Sequence, residues 1–174
     1  MSVYNFVASL QLTHNKDMMW KYLIKDQPMY NTLIALNQNI SCEIIEVLYT
    51  RCDKQPNLKF LLAENQNCPL QLMRKFAKDQ ELSVKISLIC NPHVPEEILL
   101  TLSNDVDFNV RKALLSKMCI QQEIIEKLSC DDNDEIRWCI AAHGDLTQEM
   151  LERLSKDKSE LVRQAIAERL SNTY

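Results

Sequence analysis

Asp53, Asp79, Asp105, Asp131 and Asp157 recur at a fixed interval of 26 residues. Five positions after each stands an aliphatic residue (Leu58, Val84, Val110, Ile136, Val162), and the next residue is always a cation (Lys59, Lys85, Arg111, Arg137, Arg163). A unit D-x4-Φ-[K/R] repeated without a slip leaves few folds open. It marks a stacked-repeat chain, in which each unit is too small to bury its apolar face alone and buries it against its neighbours.

Within each unit a helical apolar pattern switches on twice. Ile98, Leu99 and Leu102 have counterparts in Leu72, Met73, Phe76; in Ile124, Ile125, Leu128; and in Met150, Leu151, Leu154. This i, i+1, i+4 spacing predicts one buried stripe of a short helix, helix A. Its start falls at Ser41, Pro69, Pro95, Gln121 and Thr147. Proline is tolerated at the first helical position, and Ser or Thr can cap free N–H groups. The Asp follows helix A and precedes helix B, whose apolar set is Val110, Ala113, Leu114, Leu115 and equivalents such as Ile136, Cys139, Ile140, Ala141. An Asp there is expected to accept bonds from the free N–H groups that open helix B. The cation then meets an Asp of its own or a neighbouring repeat, so a structural ladder of alternating Asp and Lys/Arg is predicted.

Upstream the register loosens. Asn37-Gln38-Asn39 matches Asn65-Gln66-Asn67 at a shift of 28, with the two extra residues in the segment Tyr49 to Cys52. Met19, Trp20, Leu23 and then Asp26 resemble a further helix A, and Thr32 to Leu36 a helix B. About six units result, with Ser2 to Leu12 as a capping helix. Glu168, Arg169, Ser171 and Asn172 would supply the polar outer face of a terminal repeat. The expected organisation is one repeat domain over 1–174, with a cap and degenerate repeat in 1–40 and five repeats in 41–174.

Composition supports helices over strands: 46% of residues are apolar, 6% are aromatic, and Gly144 is the one glycine. All-β and α/β folds are disfavoured, and an all-α solenoid is expected. A formal charge of −4 disfavours a general binder of nucleic acid or anionic membrane. Seven cysteines, an odd number with no C-x-x-C pair, read as reduced apolar fillers in a cytoplasmic protein. No apolar run reaches the length of a membrane span, and no basic leader opens the chain.

D-x4-[V/I/L]-[R/K] on a second helix, after a first helix opened by proline, resembles the HEAT-type α-solenoid pattern. The short period, with Asn91-Pro92, Val94-Pro95-Glu96-Glu97-Ile98-Leu99 and Val110-Arg111, is more similar still to the bacterial leucine-rich repeat variant family. The resemblance covers about residues 41–174. It implies a right-handed superhelix of paired short helices, one of each pair often shorter or 3₁₀-like. It is nearly silent on activity. The N-terminal cysteine cluster that holds an iron–sulfur centre in the family's best-known member type has no counterpart, since residues 1–40 contain no cysteine, and no cofactor is expected.

Candidate chemistry is sparse. Metal binding would need Cys90 with His93, Cys119, and Cys139 with His143. His93 and Cys119 occupy equivalent places one repeat apart, and packed helices lie about 8–10 Å apart, whereas zinc holds its ligands at about 2.0–2.3 Å. Buried thiols and loop histidines are the plainer reading, although Cys90 or His143 could reach across a turn. No phosphate loop, nucleophile elbow or zincin motif is present, and Glu97, Glu123 and Glu149 line up as a solvated, dipole-favoured row near the start of helix A. The chain is not expected to be an enzyme. The Lys/Arg column could track phosphates, but each cation has an acid six residues earlier, which favours the ladder.

The outward column of helix B is the more informative. At about 100° per residue, position 112 points away from the apolar set, and its equivalents are Phe60, Ile86, Lys112, Trp138 and Gln164. Large apolar residues at a solvated position predict a partner-binding stripe on a concave helix-B surface, anchored by Trp138. Glu64, Asp134 and Glu168 would set its charge. Burial of this column by superhelical curvature is the alternative. The expected function is a non-catalytic scaffold for a protein or peptide, in a monomer or weak self-associator without membrane contact. Nucleic-acid binding through the Lys/Arg column, and a metal or redox role for the cysteines, are the other readings.

Overall fold

The computed structural model describes residues 10, 13–117 and 120–171. The expected capping helix, Leu10 apart, lies outside the described residues, as do Cys119 and Asn172. Among those described the chain is all-helical, with no strand.

The chain divides into two compact units, Met1–Pro95 and Glu96–Tyr174, where the periodicity alone predicts one continuous domain. In the first unit the helices are α1 (Lys16–Leu23), α2 (Pro28–Ala35), α3 (Cys42–Tyr49), α4 (Asn57–Glu64), α5 (Leu70–Phe76) and α6 (Leu82–Cys90). Each odd-numbered helix packs on the even-numbered one that follows, and α4 packs on both α2 and α6. In the second unit the helices are α7 (Glu96–Leu102), α8 (Phe108–Ala113), α9 (Gln122–Leu128), α10 (Asp134–His143), α11 (Gln148–Leu154) and α12 (Glu160–Ser171). There α9 packs on α7 and α10, α11 on α10 and α12, and α10 on α12.

The core follows the apolar pattern. Leu58, Val84, Val110, Ile136 and Val162, the aliphatic residues before each cation, are all fully buried. So are the A-helix stripes Ile44, Ile45, Leu48 and Ile124, Leu128, while Leu151 is half-buried. Each such side chain contributes about 1.5–3 kcal/mol on leaving water.

Three local expectations need correction. Pro69 stands at the N-cap of α5, in extended backbone, and not at the first helical position. Thr147 caps α11 through the Met150 N–H at 3.3 Å, but Ser41 makes no cap bond to α3. Helix α8 stops at Ala113, and Leu114–Ser116 tighten into a 3₁₀ turn, leaving Leu115 half-buried where full burial was expected. That turn follows a B helix, whereas both helices of every pair are α-helical.

Candidate functional site

The recurring aspartates act one step earlier than expected. Asp79, Asp105, Asp131 and Asp157 accept the N–H of the residue two positions on (Glu81, Asp107, Asn133, Ser159) at 2.8–3.0 Å. These are Asx turns that shape the loop. The cap itself comes from the next polar residue: Asp107 accepts the Asn109 N–H at 2.8 Å and Asn133 the Glu135 N–H at 2.9 Å. Asp53 is exposed, for the two-residue insertion alters its loop. Arg51 from that insertion instead pairs with Asp26 at 3.1 Å and donates to the buried Asn31 at 2.6 Å. Asp26 sits at φ 47°, a left-handed conformation that Asp tolerates better than most residues.

The second carboxylate oxygen and the cation complete the pairing. Lys59 reaches Asp79 at 3.1 Å. Arg111 grips Asp131 with Nε at 2.6 Å and Nη2 at 2.8 Å, and Arg137 grips Asp157 at 2.8 and 2.9 Å. Both are bidentate forks. Each arginine also donates Nη1 to the backbone of its own loop: Arg111 to Asp105 O, Arg137 to Asp131 O and Arg163 to Asp157 O, all within 2.7–2.8 Å. Lys85 is half-buried.

Burial alone would push the Asp131 carboxyl up, but the Arg111 bonds, the Asn133 N–H and the charges of Arg111 and Arg137 together hold it below the usual carboxylate range. The Arg137 bond, chiefly, does the same for Asp157 against its burial. A carboxylate whose folded pKa lies below its unfolded value contributes stability in full above about pH 4, and loses it as pH falls through the depressed folded value. Urea midpoints of the wild type should therefore drop steeply below about pH 4, and Asp157→Asn should flatten that dependence. An unchanged slope in the variant would remove Asp157 from the account.

The outward column divides. In the first unit Phe60 and Ile86 are half-buried, since α4 and α6 pack directly on each other. In the second unit Lys112 is half-buried and paired with Glu135, so its charge is already engaged. Trp138 is 39% exposed, its ring edge-on to His143 with centroids 6.3 Å apart. Gln164 is exposed, and so are Glu64, Asp134 and Glu168. Val106, in the loop before α8, is 96% exposed and carried no signal in the apolar periodicity.

Among the cysteines, burial pushes the Cys52 thiol up to about 11 and Cys68 to about 12. Neither thiol is activated as a nucleophile, which requires the thiolate. Burial also raises Cys139. His93 is exposed, with Nδ1 3.0 Å from the Gln66 carbonyl. Among the described residues no three His, Cys, Asp or Glu side chains gather into a group able to hold a metal ion, and no helix is long and apolar enough to cross a membrane.

Sequence reasoning missed a row of buried asparagines in the first unit. Asn37, Asn65 and Asn91 are fully buried. Asn65 Nδ2 donates to Ala35 O at 3.2 Å and Asn37 O at 3.0 Å, and Asn91 Nδ2 to Ala63 O at 2.8 Å and Asn65 O at 2.7 Å. Each Oδ1 accepts the N–H two residues on, at Asn39, Asn67 and His93. The signal was an asparagine recurring at intervals of 28 and 26 residues, which reads as turn chemistry until burial is known.

No family model matches the chain, and neither a curated protein nor a solved structure matches it.

Proposed function

We propose that the chain is built from 26-residue two-helix repeats stacked as an α-solenoid within each unit, right-handed as its motif resemblance implies, and that it serves as a non-catalytic scaffold for a protein or peptide. Support for the stacking comes from the recurring bonds. Cation and Asp pair at a separation of 20 residues in both units, and the asparagines of the first unit bond at 26 and 28. Rigid packed helices bind with little ordering cost.

Trp138 carries the binding reading. A large aromatic side chain exposed at the outward position of a short helix, beside a polar ring, is the residue type that anchors interfaces. The nucleic-acid reading fits less well, because the guanidinium groups of Arg111 and Arg137 are already committed to carboxylates and backbone carbonyls. Affinity capture from lysate of the native host should retain a partner on the wild type and lose it on Trp138→Glu of matched helicity. Trp138→Ala should weaken the recovered complex by about thirtyfold, the scale of a hot spot near 2 kcal/mol. A partner retained equally by both proteins would move the surface away from α10. A Phe60→Glu arm tests the first unit in the same way.

A further inference from the structure

We infer that α12 carries a docking face for a helix of a partner protein, one preceded by an aspartate in its opening turn, and that Arg163 receives the aspartate's carboxylate. This face is separate from the Trp138 surface and does not depend on it.

Three arginines of the unit Glu96–Tyr174 are seated alike. The Nη1 of Arg111 bonds Asp105 O at 2.8 Å and Val106 O at 3.3 Å, and that of Arg137 bonds Asp131 O at 2.7 Å and Asp132 O at 3.0 Å. The Nη1 of Arg163 bonds Asp157 O at 2.7 Å and Lys158 O at 3.1 Å. Two carbonyls on one nitrogen hold a planar guanidinium in place. In Arg111 and Arg137 the other edge, Nε with Nη2, takes both oxygens of an aspartate twenty residues on. In Arg163 the same loop bonds set the same edge, and among the described residues no acceptor meets it. A fork already fixed by its own loop binds a carboxylate through two parallel N–H bonds at little ordering cost.

The surface beside this fork is one that the fold covers elsewhere. On α10, Arg137 and Ala141 are buried, and α12 packs on that helix: Asp157 takes the Arg137 fork, and Arg169 Nη1 lies 3.4 Å from Ala141 O. A step of 26 converts the two into Arg163 and Ala167, both exposed on α12. Leu170 follows at i+7 from Arg163 and is 46% exposed. The spacing i, i+4, i+7 is one side of a helix. A methyl group at 167, as at 141, lets a second helix approach closely, and Leu170 offers it an apolar contact. Thus α12 repeats, uncovered, the surface by which α10 receives α12.

That continuity defines the occupant. What seats on Arg137 is an aspartate that also accepts the Ser159 N–H, followed five residues later by the buried Val162 of α12. A segment of the same order, an aspartate in an Asx turn and then an amphipathic helix, brings a carboxylate to Arg163 and an apolar stripe to Ala167 and Leu170. A second copy of this chain offers no such segment ready-made. Asp79, Asp131 and Asp157 already hold cations, Asp105 is engaged as well, and the helix after the exposed Asp53, α4, is packed on both α2 and α6. The segment therefore comes from a different protein.

The probe is a synthetic peptide of residues 156–171, which carries Asp157 and the sequence of α12, labelled with fluorescein and titrated with the full-length protein. Anisotropy should rise saturably, with a dissociation constant on the order of 100 μM, since a helix this short is marginal in water and must fold as it binds. Asp157→Asn in the peptide should weaken binding by about tenfold, the scale of a charge-assisted pair, and this arm leaves the protein untouched. Arg163→Gln in the protein should weaken it to the same extent. Lys158→Gln removes a neighbouring exposed cation outside the fork and should leave the affinity within about twofold. The inference is overturned if anisotropy does not saturate by about 1 mM, if the Asp157→Asn peptide or the Arg163→Gln protein binds as tightly as its parent, or if Lys158→Gln costs as much as Arg163→Gln. A peptide that displaced the native α12 would respond to Arg137 and not to Arg163, which also overturns it.

Discussion

Replacing Arg137 with alanine is expected to destabilise the unit Glu96–Tyr174 by about 3–5 kcal/mol, the usual cost of removing one partner from a buried ion pair. The Arg137 and Asp157 side chains are only 5% and 10% exposed. The guanidinium makes four bonds: two to Asp157, and one each to the carbonyls of Asp131 at 2.7 Å and Asp132 at 3.0 Å. Its loss strands a nearly buried carboxylate and two loop carbonyls together. Arg137→Lys should recover only part of the loss, because an ammonium cannot form the fork and reach both carbonyls as well. The double variant Arg137→Met, Asp157→Leu should be far milder than the single one, since no charge is left unpaired. Urea unfolding followed by circular dichroism measures all three. A loss below about 1 kcal/mol in Arg137→Ala would place the pair with the solvent-screened bridges. Lys112→Ala is the internal comparison: its bridge to Glu135 joins two side chains about half exposed, and its removal should change stability by no more than about 0.5 kcal/mol.

The second large effect lies in the asparagine row. Asn65→Ala removes the donor to Ala35 O and Asn37 O and the acceptor of the Asn67 N–H, leaving three backbone groups without that partner at a fully buried site. At about 1–3 kcal/mol for each buried group left unsatisfied, the variant should lose about 3 kcal/mol or more. Asn65→Asp is the sharper test because its shape is unchanged. Its carboxylate has no N–H to offer and would face two carbonyl oxygens, so at neutral pH it should be at least as damaging as alanine. Protonation restores one O–H donor, so the deficit of Asn65→Asp relative to wild type should shrink as pH falls. If aspartate at this position matched asparagine at pH 7, the row would be a turn preference and not a source of stability.

Both predictions rest on residues whose recurrence is plain in the sequence but whose energetic weight is not. Asp131, Arg137 and Asp157 can be picked out by their spacing, and their charges by residue type. The spacing does not say that Arg137 is nearly buried while Arg163, in the same register, is exposed. That difference decides whether such a cation is worth several kcal/mol or almost none, because the Coulombic term depends on the local dielectric. Asn65 and Asn91 likewise look like ordinary turn residues, and only their complete burial turns an amide preference into an obligatory set of bonds.

The outward column shows the same limit from another side. Helical phase places Phe60, Ile86, Lys112 and Trp138 at one angular position, but phase cannot say what lies opposite. Packing of α4 on α6 accompanies the half-burial of the first two, Glu135 engages Lys112, and Trp138 is left exposed. Equivalent positions thus have different uses.

From sequence alone came the helical class, the alternation of A and B helices, the buried aliphatic position before each cation, and the composition of the Asp and Lys/Arg columns. Those features are encoded locally, in a 3.6-residue apolar period and in residues that favour turns and helix starts. The grouping of the chain into two units, the Asx role of the aspartates, and the burial that turns asparagine into a structural row were decided by tertiary structure. Each depends on which side chains meet across neighbouring helices, and burial sets the strength of every polar contact among them.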